Sequence, residues 1–384
     1  MNKKDILEIR KQFSPRQCCL TRICGCYVDG EKNIKFQSKE AFLSLPEEEA
    51  FKYFDIFKKG MSGSLGKNLL PMEFPLHEEK EGGCQHFLMQ LRDSRLEDDM
   101  LLEEFYQKII EHYSYGENYY IILVHGAYDI PGKSSDGLDM FDSSEEVYQH
   151  IYCCICPVNL SKAGLSYNSQ DNCMMDRIRD WVVEPPTKTF LFPAFNERTS
   201  DIHGLLYYSK KPEDLQEDFV NHVLGAKIPL TAANQKESFQ ALIEESLGDR
   251  CEFEMVKTIH ENLQEILKEN ENEETIPVIG KLEMKRAFSQ SGASTEEINK
   301  LEENFENFVG EHQELISSNV LNQKKMEIKT PDILIKIQTE RSGLLEKRII
   351  NNRPCLVIPI DDKIEINGIA VRSLSPEDFN EDVD

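Results

Sequence analysis

A chain of 384 residues, 40% of them hydrophobic, is long enough for a substantial core and for two domains. Its formal charge of -25 and isoelectric point near 4.8 set an excess of carboxylates against any phosphate backbone or anionic lipid surface, which argues against nucleic-acid or membrane binding. No run approaches the roughly 18 apolar residues of a membrane span.

The N-terminus, MNKKDILEIRKQF, alternates charged and apolar residues at helical spacing and lacks the apolar core of a signal peptide. A cytoplasmic location is therefore expected, with the 11 cysteines as reduced thiols. The first helix carries Ile6, Ile9 and Phe13 on one stripe and stops at Ser14 and Pro15. Cys19 to Val28 is rich in strand formers, Asp29-Gly30 is a turn, and Asn33 to Phe36 is its expected partner strand. Pro46 and Glu47 to Glu49 open a second helix with a core face of Ala50, Tyr53, Phe54, Phe57 and Met61. The loop Gly60 to Gly66 lacks the spacing and terminal Lys-Ser/Thr of a phosphate-binding loop and reads as a connector. Leu69 to Phe74 is a short strand placed at a sheet edge by Pro71. Helical periodicity then marks one helix through Cys84 to Leu91 and another through Leu102 to Tyr113.

Tyr119 to Val124, YYIILV, is the most hydrophobic run and predicts a central strand, to which Val147 to Val158 returns. Phe190 to Phe195 and Ile202 to Tyr208 predict a hairpin around the polar loop Asn196 to Ser200. Short links between these strands favour an antiparallel sheet. Helices follow over Glu213 to Leu224, after an N-cap at Thr231, and through Val256 to Leu267. The charged run Lys268 to Thr275 reads as a linker or fraying end. Ser294 and Glu297 form a capping box for a further helix, and strand-like segments from Ile333 to Val371 turn at Asn351-Asn352 and Asn367-Gly368. The expected architecture is α+β. An antiparallel sheet covered by helices occupies 1–270, a linker 271–280, a smaller helix-plus-strand domain 281–374, and an acidic tail 375–384.

Chemistry-bearing residues concentrate between Met174 and Lys211, which holds the only tryptophan, Trp181. Were Asp201 to Tyr208 extended, Asp201 and His203 would share a strand face beside the loop residue Arg198, an acid and an imidazole able to hold an anion or pass a proton. His125, at the end of the central strand, is a second candidate base, and Arg177 and Arg179 flank Trp181 in an expected short helix as candidate anion holders. Each set has a plainer explanation in surface ion pairing or a histidine satisfied by a backbone carbonyl. Cys24-x-Cys26 and Cys154-x-Cys156 would present thiolates to a metal only if they shared a sheet face, and buried cysteine more often serves as a small apolar residue. The sequence contains no Gly-x-Ser-x-Gly, no His-Glu-x-x-His and no Gly-x-Gly-x-x-Gly after a strand, and no motif implies a cofactor.

The segments CGCYVDGEKNI, SGSLGKNLLPMEFP, ICPVNLSKAGL, RIRDWVV, FLFPAFNERTSDIHGLLYYSK and LTAANQKESFQ resemble a bacterial family known only as domain of unknown function 4317. The resemblance implies no activity, cofactor or site residue. Two readings of function stand side by side. One is an interaction or regulatory module that contacts a protein partner, or itself, through the acidic helices and C-terminal strands. The other is an enzyme on a phosphate- or carboxylate-bearing substrate, with Arg177, Arg179 and Arg198 as anion holders and His203, Asp201 or His125 as acid and base. An enzyme requires these side chains to converge; an interaction module leaves them dispersed and exposes an apolar patch.

Overall fold

In a computed structural model of the chain, residues 1–133, 139–269, 276–310, 313–322, 324–359 and 364–371 are described. The expected tail at 375–384 and most of the charged run at 268–275 lie outside them. The chain divides into two units, one of 1–236 with 272–276 and one of 237–271 with 277–384.

The first unit is built on the expected antiparallel sheet. Helix α1 (Lys3–Lys11) is capped by Asn2 and Asp5 in a reciprocal capping box. Strands β1 (Leu20–Val28) and β2 (Ile34–Ala41) form the first hairpin. Helix α2 (Glu47–Gly60) carries three glutamates in its first turn, where the helix dipole favours them. Strand β3 (Leu69–Glu73) lies at a sheet edge, where Pro71 removes no ladder donor that is needed. Helices α3 (Cys84–Asp93) and α4 (Asp99–His112) precede β4 (Tyr119–Lys133) and β5 (Asp139–Leu160). A side arm follows, made of β6 (Leu165–Asn168), β7 (Cys173–Asp176) and β8 (Trp181–Val183). The chain rejoins the sheet through β9 (Lys188–Phe192), makes a small hairpin of β10 (Ala194–Asn196) and β11 (Thr199–Asp201), and closes with β12 (Gly204–Ser209).

The sheet order is β2-β1-β4-β5-β9-β12-β3, with β8 continuing the line of β9 along β5. Strict alternation on β4 explains the layering. Tyr119, Ile121 and Leu123 enter a core closed by α3, α4 and residues 215–226, whereas Tyr120, Ile122 and Val124 enter one closed by α1 and α2. Both faces of the sheet are therefore covered, which is why YYIILV shows no polar face. The β4–β5 ladder shifts register at Pro131, which has no N–H to donate.

Residues 213–224 do not form the single helix their apolar spacing predicts. Gln216 adopts φ 55, and only Glu217–Phe219 (α5) is α-helical before a π-turn over Val220–Leu224 that ends at Gly225.

In the second unit, α6 (Ala232–Leu247), α7 (Phe253–Glu269), α8 (Lys281–Gln290) and α9 (Thr295–Phe308) bury residues such as Leu242, Leu263, Phe288 and Phe305. Arg250 pairs with Glu297 at 3.0 Å, and the Asn262 amide donates to the Ala287 carbonyl at 3.3 Å. These bonds tie α7 and the loop before it to the later helices, so the unit begins near 237 and not at the expected 270. Strands β13 (Val278–Ile279) and β14 (Leu315–Ile316) pair, and α10 (Ser317–Val320) follows. Three two-stranded hairpins complete the unit: β15 (Lys325–Lys329) with β16 (Leu334–Gln338), β17 (Glu346–Ile350) with β18 (Arg353–Val357), and β19 (Ile364–Ile366) with β20 (Ile369–Val371). Asn351-Asn352 and Asn367-Gly368 all take positive φ, the requirement of the tight hairpin turns expected there.

Candidate functional site

The acid, imidazole and arginine expected on one strand face are separated by local backbone geometry. Glu197 and Arg198 both adopt positive φ at the tip of the β10–β11 hairpin. The chain turns again at 202–203, so Asp201 and His203 are not consecutive residues of one strand face. Asp201 Oδ1 instead accepts the His203 backbone N–H at 3.0 Å, and its other oxygen accepts from the Asn196 amide. The exposed His203 ring meets Glu79 at 2.8 Å, a contact that raises its pKa. Arg198 turns away from both. Its guanidinium lies 3.3 Å from Glu8 of α1 and donates to the Pro131 carbonyl at 2.8 Å, while Tyr128 donates to the same Glu8 carboxylate at 2.9 Å. This side chain braces α1 against the β4–β5 ribbon.

His125 lies on β4, and two strands, β5 and β9, separate it from the chain leading into β12. At about 4.8 Å per strand, that is on the order of 14 Å across the sheet. It is buried, with Nδ1 2.7 Å from the Thr21 hydroxyl and Nε2 without a hydrogen-bond partner. Burial, reinforced by Arg95, Arg92 and Arg22, lowers its pKa to about 4. On the opposite face is a histidine that no sequence pattern marks. His150 is fully buried, neither ring nitrogen has a hydrogen-bond partner, and its ring stacks on Tyr148 at 4.7 Å. Its register partner is Gly126, where a Cβ would fall 2.5 Å from the imidazole; the glycine is what lets the ring lie across β4. Burial, and then any charge on His125, push His150 down to about 3, against a small opposing pull from the Tyr148 backbone.

The cysteine pairs are likewise kept apart. Cys24 and Cys26 face the core under α3 and α4, Cys154 and Cys156 face the core under α1 and α2, and β4 runs between their strands. Four thiolates cannot meet from opposite faces of one sheet. Burial raises Cys24 and Cys26 to about 12 and holds Cys154 and Cys156 above the ordinary thiol range, as expected of small apolar core residues.

Lys188 was not legible as buried, because its TKT context reads as an exposed strand end. Its ammonium donates to Ser209 Oγ at 2.8 Å and to the Asp214 carbonyl, and burial lowers its pKa to about 8. These partners make it an anchor for the loop after β12.

Arg177 and Arg179 lie on the arm of residues 161–184 and are exposed. The segment is not the expected short helix: the Arg179 Nε donates to the Ser161 carbonyl at 2.7 Å, and Trp181–Val183 pairs with β5. The arm exposes Leu165 (78%), Tyr167, Met174, Ile178 (80%), Trp181 (57%) and Val182. No other strand pairs with the outer edges of β6, β7 and β8 among the described residues. The arm's three cations, Lys162, Arg177 and Arg179, nearly balance its four acids, Asp171, Asp176, Asp180 and Glu184.

One further cluster gathers ionisable groups at the rim of the same unit. His112, the last residue of α4, has Nδ1 3.0 Å from Asp218 Oδ2, and His222 has Nδ1 3.0 Å from Asp218 Oδ1. The two imidazoles stack with centroids 4.5 Å apart and planes within 9°. The only sequence signal is the four-residue step from Asp218 to His222; His112 comes from 106 residues upstream.

Residues 1–369 match the family described as Domain of unknown function (DUF4317). The chain belongs to this family. Within it, the matched span takes in the whole first unit, including the arm and the His112 cluster. None of the curated proteins matches the chain. Among the described residues no helix is long and apolar enough to cross a membrane.

Proposed function

We propose that the protein is an interaction module whose arm, residues 161–184, docks onto the same arm of a second copy. The observation that carries the reading is the apolar surface of the arm, set against the dispersal of the ionisable residues an enzyme would need together. On the β6–β7 hairpin Tyr167 and Met174 are register partners, and alternation puts Leu165 on the same face, so three exposed apolar side chains adjoin. Adjoining exposed apolar side chains mark association surfaces.

Two features favour a second copy over an unrelated partner. An outer strand edge can pair antiparallel with itself across a two-fold axis, satisfying the same backbone groups in both chains. The arm is also close to neutral in a chain of charge -25, so two arms can meet where other faces would repel. The C-terminal hairpins expose Ile349, Ile366 and Ile369 as well, but spread over separate two-stranded ladders. The enzyme reading has no comparable support, since His125, His203, Arg177 and Arg198 point to separate surroundings.

Sedimentation of the full chain at physiological salt over a wide concentration range tests the proposal. A dimer is expected, and the variant M174D/I178D/W181D should be monomeric with unchanged circular dichroism. A wild-type monomer at the highest concentration, or a triple variant that still dimerises, overturns it.

A further inference from the structure

We propose that His112, Asp218 and His222 form a binding site for a divalent transition metal of the zinc, nickel or copper class, with one coordination position open to solvent. The donor set defines the class. Two imidazoles and one carboxylate suit these ions, whereas magnesium and calcium favour all-oxygen shells. The geometry is already close to that of a chelate. Each His Nδ1 sits 3.0 Å from a different oxygen of the same carboxylate. Metal–ligand bonds of about 2.0–2.2 Å spanning such a separation subtend roughly 90° at the metal, within the range that small rotations of exposed side chains can open toward tetrahedral.

The chain delivers these donors from two directions. Asp218 and His222 stand one helical turn apart, with His222 carried on the π-turn, and the α4 C-terminus brings His112 against them. Short π segments recur at functional positions because they re-aim side chains that an α-helix would stagger. The two rings stack face to face, and one donor atom from each of the three residues lies within 4.8 Å of the other two. Asp218 and His222 are exposed, so an ion reaches the site without any opening of the fold, and three protein ligands leave a fourth position for water. The site is separate from the arm, and its existence does not depend on self-association.

The test is titration of chelator-stripped full-length protein with zinc chloride, then nickel chloride, in competition with a chromophoric chelator at neutral pH. One equivalent should bind with Kd below about 100 µM. His112→Ala, His222→Ala and the near-isosteric Asp218→Asn should each weaken binding at least about tenfold with unchanged circular dichroism, while Cys173→Ser and Cys251→Ser, which remove exposed thiols, should leave it unchanged. Absence of saturable binding in that range, affinity that survives all three site substitutions, or affinity that follows the cysteines overturns the assignment.

Discussion

Arg198 shows how a residue with the composition of a site can be committed elsewhere. Its guanidinium spans a helix carboxylate and a strand carbonyl, and holding those partners keeps a non-glycine residue at φ 64. Arg198→Ala should lower stability by about 1–2 kcal/mol in urea denaturation, because Glu8 and the Pro131 carbonyl lose a charged donor. Adding Glu8→Ala should then cost less than the two single losses together, since both act through one contact. An additive pair would mean that the bridge contributes nothing. Neither the destination of Arg198 nor the turn at 202–203 is legible in sequence, since alternation assumes an uninterrupted strand. The His112 cluster was hidden for a different reason: its members meet only after α4 and the 217–224 segment pack on the same face of the sheet.

At the scale of elements, the sequence is legible where one local rule acts alone. YYIILV has no polar alternation because both of its faces are buried, Pro71 marks an edge, and Asn-Asn and Asn-Gly mark turns that need positive φ. It misleads where a short segment satisfies two rules. Leu215, Phe219, Val220, Val223 and Leu224 have helical spacing, yet Gln216 in the left-handed region and the π-turn re-aim them onto the sheet. Arg177 to Asp180 carries helix-compatible residues but no buried stripe to hold a helix, and the chain pairs with β5 from Trp181 onward. The helices at 232–269 lie next to the sheet in sequence and bond instead to α8 and α9, which moves the unit boundary.

For the whole molecule, the two buried histidines predict how stability responds to acid. Their folded pKa values, about 4 and about 3, lie below the unfolded value of 6.5. The unfolded chain therefore binds protons that the folded chain refuses, and stability falls as pH drops from 6.5 toward 4. Above pH 6.5 neither histidine contributes a slope. His125 alone corresponds to a loss on the order of 3 kcal/mol over that window. Carboxylates held low in the fold, such as Glu297 with its Ser294 backbone bond, act in a lower window, below the ordinary 4.5. Denaturation measured in pH steps should show the upper limb flatten in His150→Leu; an unaltered limb would remove His150 from the account.

The distribution of sulfur has a practical consequence. The five strand thiols at 24, 26, 153, 154 and 156 are buried, and among the described residues only Cys173 and Cys251 are exposed. Cys173 sits on β7, so a maleimide or nitroxide added without any engineering lands on the arm itself. Its labelling rate is a native reporter: it should slow as protein concentration rises, while Cys251 supplies the internal reference, and a rate indifferent to concentration would mean the arms never meet.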